Sequence, residues 1–358
     1  MKRREFLLSG LTLTGGSVGL SFAGVAAGAI ATSDQTHRVL ELELFDVTRQ
    51  RPVPTRLYLP LRASPTQQVP LVVFSHGLGG SRFGYQYLAT YLAHSGIASM
   101  HPQHVGSDNN LWRGNPLEML SRLQAAARDA EALARAQDVR FALDELLASV
   151  HAQMIDTSKI AVAGHSYGAN TAMLVSGAKV NATVLQGGEL RDARIQAAIL
   201  ISAPPLVGQG LIEEVLGAVS IPTLHITSVD DTINLPGYRS TVDDRRAVFR
   251  AMRASPRTLA IFNTGGHSIF TDRTTRSGPE TSARIKGATR ELCALFLQQS
   301  FLKGTRIANN QSPDLSETRE RGRVVDQWLL RYSDLLDKFV LSEPPSLAQF
   351  PSEISTRS

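Results

Sequence analysis

The five residues Gly164 to Gly168, with the sequence G-H-S-Y-G, have the types and spacing that best suit covalent chemistry in this chain. A short apolar run precedes them and small, helix-tolerant residues follow, so the serine lies where a buried strand turns directly into a helix. Such a turn strains its central residue and brings neighbouring backbone very close, which favours glycine on both sides. The pattern predicts Ser166 as a nucleophile and the Tyr167 N–H as a donor to a developing oxyanion.

A histidine and a pair of acidic residues, all C-terminal to Ser166, could complete the chemistry that a serine nucleophile requires. Asp230 and Asp231 follow the strand-like run P-T-L-H-I-T, and His267 lies in the glycine-rich sequence N-T-G-G-H-S. Because a histidine can accept the serine proton while a carboxylate orients the imidazole, the set predicts acyl transfer through a Ser-His-Asp triad. The alternative interpretation is that the histidine is structural and the two aspartates only cap a loop.

A second glycine-rich loop, H-G-L-G-G over residues 76–80, follows the continuous apolar run of residues 71–74. Glycines let backbone N–H groups approach a ligand closely, so such a loop at the end of a buried strand can hold an anion. Taken alone, the loop could equally be a tight turn. Its presence in the same chain as G-x-S-x-G favours an oxyanion site.

Three motifs of the chain, F-S-H-G-L-G-G, A-V-A-G-H-S-Y-G-A-N and G-G-H-S, resemble those of the α/β-hydrolase superfamily. They are most similar to bacterial dienelactone-hydrolase-like and platelet-activating-factor-acetylhydrolase-like serine esterases, with polyester hydrolases as more distant relatives. The resemblance covers about residues 38–302. It implies an α/β-hydrolase fold: a mostly parallel central sheet with an antiparallel N-terminal hairpin and helices on both faces.

The resemblance also implies a role for each candidate residue. The implied triad has three members: Ser166, Asp231 and His267. The Leu78 N–H would join the Tyr167 N–H in the oxyanion hole. Related enzymes carry a D-x-I-x-P run after the corresponding strand, and D-T-I-N-L-P aligns with it so that Asp231 is favoured over Asp230 as the acid.

The implied activity is hydrolysis of carboxylic esters with short-to-medium acyl chains through an acyl-enzyme, with no metal or organic cofactor. Dienelactone hydrolases proper use a cysteine nucleophile, so Ser166 favours ordinary esters over lactones. Polyester hydrolases often carry a tryptophan just after the strand that ends here at Ser202, where this chain has A-P-P, so polymer cleavage is only a minor expectation. Two alternatives stay open: an amidase or peptidase with the same triad, and a non-catalytic envelope binding protein that has kept the fold.

Residues 1–31 predict a signal peptide, followed by a hydrolase domain over residues 32–302. The segment has a basic start, an uncharged run from Phe6 to Ala31 and the sequence A-I-A before Thr32; its paired Arg3 and Arg4 resemble the twin-arginine signals of bacteria. We therefore expect a periplasmic or secreted protein. A retained membrane anchor is the alternative, but the many Gly, Ser and Thr residues favour cleavage and no stable membrane insertion afterwards.

The resemblance implies a small-molecule ester as the partner, and the composition gives no reason to add nucleic acid. The 37 basic and 32 acidic residues give a net charge of +5 without a basic patch interleaved with aromatics, so the sequence offers no case for nucleic-acid binding. Cys293 is the sole cysteine, which excludes an internal disulfide and favours a buried, inert thiol. His101 and His104 lie near the predicted site and could touch substrate or a metal, but no carboxylate or cysteine stands at ligand spacing.

Three further segments carry structural predictions. Residues 38–46 and 55–60 predict an antiparallel hairpin with Q-R-P-V-P as its turn. Residues 116–152 predict helix, broken near Ala136, with its charges on a solvated face. Residues 303–358 predict a linker, a charged helix over about 315–340 and a disordered tail. The apolar face of that helix would dock on the body of the protein or mediate self-association.

Overall fold

The computed structural model describes residues 37–181, 189–235, 237–273, 275–308 and 315–343. The predicted signal peptide and the tail after Glu343 lie outside these residues. Eleven strands are formed by the described part of the chain: β1 (His37–Asp46), β2 (Arg51–Pro60), β3 (Val69–Ser75), β4 (Ala98–Pro102), β5 (Ile155–His165), β6 (Ile195–Ile201), β7 (Thr223–Ser228), β8 (Ile233–Leu235), β9 (Tyr238–Ser240), β10 (Arg257–Phe262) and β11 (Leu336–Ser342).

Eight α-helices are formed by the same residues: α1 (Gln86–His94), α2 (Pro116–Ala126), α3 (Asp129–Ala148), α4 (Tyr167–Val175), α5 (Ile212–Leu216), α6 (Val242–Ala251), α7 (Pro279–Ala308) and α8 (Leu315–Tyr332). Within the described ranges, no helix is both long enough and apolar enough to span a membrane. The helical segment 116–152 is interrupted at residues 127–128, between α2 and α3, and not near Ala136, which is buried inside α3.

Nine strands form one sheet in the order β1-β2-β4-β3-β5-β6-β7-β10-β11. The six central strands are parallel, while β1, β2 and β11 run antiparallel to their neighbours. The predicted mostly parallel sheet with an antiparallel N-terminal hairpin is confirmed. Parallel strands must be covered on both faces, and this explains why the central strands are continuous apolar runs.

Helices cover both faces of the sheet. Alternate residues of β5 point to opposite sides, so that Val162 belongs to the core under α3, α4 and α6, and Ala161 and Ala163 to the core under α1, α7 and α8. Strands β5, β7 and β10 therefore lie fixed between two apolar layers. Their C-terminal ends meet at one edge of the sheet, where ligands bind in open α/β folds.

Strand β2 begins earlier than predicted, at Arg51, and the preceding turn covers residues 47–50. The Q-R-P-V-P sequence was expected to be the turn because prolines cannot donate to a sheet. The ladder with β4, however, covers only Thr55 to Tyr58 of β2, so both prolines lie outside it and are paired in register with β1 alone. Beyond that ladder, the Gln103 N–H donates to the Pro54 carbonyl at 2.9 Å. The missing N–H groups of the prolines therefore interrupt no bond of the β2–β4 ladder.

The C-terminal segment corrects the predicted helix over residues 315–340. Helix α8 ends at Tyr332, a 3-10 turn follows at Ser333–Leu335, and the chain then forms β11, antiparallel to β10. The apolar residues of the expected helix face do pack against the sheet and α7: Trp328, Leu329, Tyr332, Leu335, Leu336 and Phe339. The edge of β10 that faces β11 supplies backbone hydrogen-bond partners that local periodicity cannot reveal. Leu336 and Phe339 therefore lie in a strand and not in the expected helix.

Candidate active site

The turn at residue 166 has the strained geometry that its flanking glycines predict. Ser166 has φ 57° and ψ −121°, a positive-φ conformation that costs a non-glycine residue about 1–3 kcal/mol. A Cβ atom on Gly164 would collide with the backbone of Gly168, and one on Gly168 would collide with the backbone of Ser75. The Ser166 N–H donates to the Ile201 carbonyl at 2.9 Å. Glycines thus let β5, α4 and the end of β3 meet closely enough to project the serine hydroxyl.

Ser166, His267 and Asp231 form one continuous chain of hydrogen bonds. His267 Nε2 lies 2.8 Å from Ser166 Oγ, and His267 Nδ1 lies 2.7 Å from Asp231 Oδ1. A carboxylate only accepts, so Nδ1 carries the proton and Nε2 can accept the serine proton. The three residues follow β5, β10 and β7, whose parallel packing brings their ends together although they lie far apart in the sequence.

Two groups besides His267 hold the buried Asp231 carboxylate. Thr227 Oγ1 donates to Oδ2 at 2.7 Å, and Arg245 Nη2 donates to Oδ1 at 3.4 Å. Burial by itself would raise the pKa of Asp231. The hydrogen bond and charge of His267, with the Arg245 charge, outweigh burial and lower the pKa of Asp231 well below its usual range. Asp231 is therefore a carboxylate at neutral pH.

The neighbouring Asp230 has a different position. Its side chain is exposed, and Oδ2 accepts hydrogen bonds from the Gly265 N–H at 3.2 Å and the Thr264 hydroxyl at 3.4 Å. These contacts support the loop that leads to His267. Of the two aspartates that the sequence offers, Asp231 is the one that contacts the imidazole.

The loop after β3 leaves one backbone donor free. Three of the N–H groups in G-L-G-G donate within the protein, at 3.4, 2.9 and 3.0 Å: those of Gly77, Gly79 and Gly80. Across the described ranges, no protein group accepts from the N–H of Leu78 or from that of Tyr167. Both residues line the cavity at Ser166. The residues that carry the two donors predicted from the sequence thus line the same cavity as Ser166, and neither N–H has an acceptor among the described residues.

His165, the residue before the serine, links two parts of the site, and the sequence offered no role for it. Its Nδ1 lies 2.8 Å from the Tyr85 hydroxyl and its Nε2 lies 3.1 Å from the His267 backbone carbonyl. A carbonyl only accepts, so Nε2–H donates to it and Nδ1 accepts from Tyr85. Burial, with a smaller effect of the His267 charge, lowers the pKa of His165 to about 3. The neutral ring therefore holds the backbone of His267.

An apolar cavity of about 540 Å³ lies beside Ser166. Its walls come from α2, α3, α4, the loop after β6 and strand β8, and include Leu123, Leu133, Leu206 and Ile233. Asp129 is the only Asp, Glu, Lys or Arg side chain that lines this cavity in the described part of the chain. A pocket of this size and polarity fits a small, uncharged organic molecule.

The predicted solvated face of the 116–152 segment is wrong for three charged residues of α3: Glu131, Arg135 and Asp138. They are buried behind the loop of residues 76–80. Arg135 donates from Nη1 to Ser107 Oγ at 2.7 Å, and its guanidinium lies 4.5 Å from the centre of the Tyr167 ring. Burial lowers the pKa of Arg135 to about 10, so it remains a cation at neutral pH. The i, i+4, i+7 spacing places all three charges on one helix face, a signal that could have revealed the cluster.

The expectation that His101 or His104 contacts substrate or a metal is not supported. His101 is buried and bonds Ser99 Oγ at 2.7 Å, and His104 is buried between Ser75 Oγ at 2.9 Å and Asp138 Oδ2 at 3.0 Å. Neither lines the cavity. In the part of the chain that the structure describes, no three His, Cys, Asp or Glu side chains are grouped so that they could hold a metal ion.

Cys293 is buried, as predicted, and burial raises the pKa of its thiol.

Arg245 is a further residue that sequence reasoning missed. It lies on α6, in a stretch without a motif, and its contact with Asp231 depends on how α6 packs beside β7. No local signal marks it.

A mostly parallel sheet, with a strained serine between a strand and a helix and with a histidine and an acid after later strands, is the arrangement of the α/β-hydrolase fold. Residues 27–109, less than a quarter of the chain, match the family model described as platelet-activating factor acetylhydrolase, isoform II; the match confirms the resemblance over the hairpin, β3, β4 and the loop of residues 76–80. No curated protein matches the chain. The match indicates a hydrolase of the ester-cleaving type.

Proposed function

We propose that this protein is a serine esterase that hydrolyses carboxylic esters with short-to-medium acyl chains. Ser166 Oγ attacks the ester carbonyl while its proton passes to His267 Nε2. The carbonyl oxygen gains the negative charge, and the N–H groups of Leu78 and Tyr167 donate to it. Asp231 stabilises the imidazolium that forms.

Breakdown of the tetrahedral intermediate releases the alcohol. The carbon–oxygen bond to the leaving group breaks, and His267 returns its proton to the departing oxygen. Water then attacks the acyl-enzyme, His267 takes a proton from that water, and Ser166 Oγ leaves with the proton as the carboxylic acid is released. No further reactant is needed, so the atoms and charges of ester hydrolysis balance.

The observation that carries this proposal is the hydrogen-bond chain from Asp231 through His267 to a strained serine at the mouth of an apolar cavity. The size of the cavity, about 540 Å³, favours a small ester over a folded polypeptide. Among the described residues that line the cavity, none is a cation that would attract an anionic substrate.

The test is hydrolysis of a chain-length series of p-nitrophenyl esters, with the matching p-nitroanilides and a Ser166→Ala variant in parallel. We expect ester turnover by the wild type, little turnover of the anilides, and loss of turnover in the variant. Labelling of Ser166 by a fluorophosphonate gives a second readout. No turnover of any ester together with no labelling would contradict the proposal, and faster anilide cleavage would favour an amidase.

We also propose export to the periplasm or the medium. The support is the twin-arginine pattern of residues 1–31, outside the described part of the chain. N-terminal sequencing of protein recovered from the periplasm tests it, with Arg3→Lys plus Arg4→Lys as the variant expected to stay inside the cell. A start at Thr32 would support cleavage after A-I-A, whereas an uncleaved, membrane-bound form would support the anchor.

A further inference from the structure

We propose that His76 is the positioning residue of the oxyanion hole: it fixes the peptide between Gly77 and Leu78 so that the Leu78 N–H faces the substrate carbonyl. The inference rests on the proposed function and identifies how the chain builds one of its two oxyanion donors. His76 itself touches neither the substrate nor the reacting atoms.

The argument begins with the geometry of one peptide unit. In a trans peptide, the C=O of one residue and the N–H of the next point in opposite directions. The Gly77 carbonyl accepts from two donors, His76 Nδ1 at 2.8 Å and the Gly80 N–H at 3.0 Å. These two bonds hold the carbonyl towards the protein interior. The Leu78 N–H must then point the other way, towards the cavity that Leu78 lines.

His76 can play this part only in one tautomer, and the structure imposes that tautomer. Its Nε2 lies 3.1 Å from the His104 backbone nitrogen, whose N–H can only donate. Nε2 must therefore accept, and the single ring proton is on Nδ1, where it donates to the Gly77 carbonyl. Burial, with the charge of Arg135 as a smaller effect, lowers the pKa of His76 well below its usual value. The ring stays neutral and keeps the required proton arrangement.

The rest of the loop is held just as firmly. Arg135 Nη2 donates to the His76 carbonyl, and the Gly77 N–H donates to the Tyr85 hydroxyl at 3.4 Å. On the far side, the Gly79 N–H donates to the Ser107 carbonyl at 2.9 Å. The peptides on both sides of the Gly77–Leu78 unit are thus anchored, and His76 controls the one that carries the free donor.

Two donors on one carbonyl also strengthen the opposite end of the peptide. Each bond to the Gly77 carbonyl polarises the amide and makes the Leu78 N–H a better donor, as in any chain of hydrogen bonds. A preorganised donor acts on the oxyanion without reorganising during the reaction. Loss of the His76 bond should therefore weaken binding of the transition state more than binding of the ester.

The chain offers a matched control for this substitution. His101 is also buried, and burial lowers its pKa to about 3, but it bonds Ser99 and stacks on Phe74 rather than holding the loop. We would compare His76→Phe with His101→Phe in kcat, KM and inhibitor affinity. A trifluoromethyl ketone forms a hemiketal oxyanion with the serine, whereas the matching methyl ketone reports on pocket binding alone.

We expect His76→Phe to lower kcat by about 10–100-fold with KM nearly unchanged. It should weaken the trifluoromethyl ketone by a similar factor and leave the methyl ketone unaffected. His101→Phe should keep all of these values. His76→Asn, whose amide nitrogen occupies the place of Nδ1, should recover part of the loss. Unchanged selectivity for the trifluoromethyl ketone in His76→Phe, or equal weakening of both ketones, would overturn the proposal.

Crystal structures of the wild type and His76→Phe separate this proposal from the proposed function. The esterase assignment fails if the wild type cleaves no ester and binds the trifluoromethyl ketone no more tightly than the methyl ketone. The orientation of the Gly77–Leu78 peptide can still be compared in that case. A peptide that turns or adopts two orientations in His76→Phe supports the positioning role. A peptide that keeps its wild-type orientation contradicts it.

Discussion

Two Ser-His-Asp hydrogen-bond chains lie in the described part of this molecule, and only one opens on a cavity. The chain that opens on the cavity, which we propose as the active site and call the active-site chain, consists of Ser166, His267 and Asp231. The buried chain consists of Ser75, His104 and Asp138. The serine–histidine and histidine–aspartate distances are 2.8 and 2.7 Å in the active-site chain. They are 2.9 and 3.0 Å in the buried chain. Residue types and distances alone therefore do not separate a catalytic arrangement from a structural one.

The two chains differ in their exposure to solvent and in the other hydrogen bonds that the serine oxygen already makes. The side chains of His104 and Asp138 are fully buried, and Ser75 Oγ already accepts from Arg135 Nη2 at 3.1 Å. The His267 side chain is 20% exposed, and Ser166 lines a cavity together with Leu78 and Tyr167, whose N–H groups have no acceptor in the described part of the chain. A serine needs room for a carbonyl carbon and donors for the oxyanion, and the buried chain provides neither.

The charges around the two histidines also differ. Burial, followed by the charges of Arg135, Arg51 and Arg49, lowers the pKa of His104 well below its usual value, so it cannot take up a proton at neutral pH. Near the active-site chain, Arg245 contacts Asp231 rather than the base. The arginines that stabilise the buried chain would thus oppose the imidazolium that catalysis requires.

The largest contrast should come from the two serines. Ser166→Ala should lower kcat by at least about 10⁴-fold, because the nucleophile is lost. Ser75→Ala should keep fluorophosphonate labelling and lose about 1–3 kcal/mol of unfolding free energy, because His104 and Arg135 lose a buried partner. Ester turnover, labelling and urea unfolding of both variants measure the contrast. Loss of labelling in a folded Ser75→Ala protein would contradict the division of roles.

The acids of the active site give the next effect. Asp231→Asn should lower kcat by about 10⁴-fold, since an amide can no longer select the productive imidazole tautomer. Asp230→Asn, which weakens only the contacts with Thr264 and Gly265, should cost far less. Steady-state kinetics of the pair checks this. Equal losses in the two variants would show that Asp230 shares the role of the acid.

Removing the acid of the buried chain should affect stability and not chemistry. Asp138 accepts from Arg49 at 2.8 Å and from Arg51 at 3.0 Å, besides His104. Asp138→Asn leaves these cations without their common partner and should lower the unfolding free energy by about 3–5 kcal/mol. Urea unfolding measures the loss. Asp231→Asn is the matched variant. Equal destabilisation of the two proteins would contradict the claim that the buried chain contributes more to stability than the active-site chain.

The smallest effect concerns pH. Burial lowers the pKa values of His101, His165 and His225 to about 3. An unfolded histidine binds a proton below about pH 6.5, whereas the folded ones stay neutral down to about pH 3. Between these two pH values the unfolded state holds more protons, so the free energy of unfolding falls as the pH falls. Each histidine contributes at most about 1.4 kcal/mol per pH unit. His101→Phe should make the fall less steep in urea midpoints measured from pH 7 to pH 4; an unchanged slope would contradict the assignment of a neutral buried ring.

The sequence was most informative where backbone sterics leave one choice. The G-H-S-Y-G turn requires glycines at both flanks, so the strand, the strained serine and the helix could be predicted together. Asp231 and His267 also carried loop motifs. Arg245 did not, because a charged residue in a helix looks the same whether the helix faces water or the core. Arg135 was marked only by its spacing with Glu131 and Asp138 on one face of α3. Helix propensity likewise failed after Tyr332, where pairing with a distant strand decided the structure.

The position of β11 at the C-terminal end of the chain affects how the protein folds during its synthesis. It pairs with β10, and the Asn263 N–H at the start of the histidine loop donates to the Leu335 carbonyl at 2.8 Å. A ribosome makes residues 257–267 well before residues 335–342. During that interval one side of β10 has no partner, and an unpaired apolar strand invites pairing with other chains. The nascent chain should therefore need a chaperone to cover this edge of β10 until β11 has been synthesised.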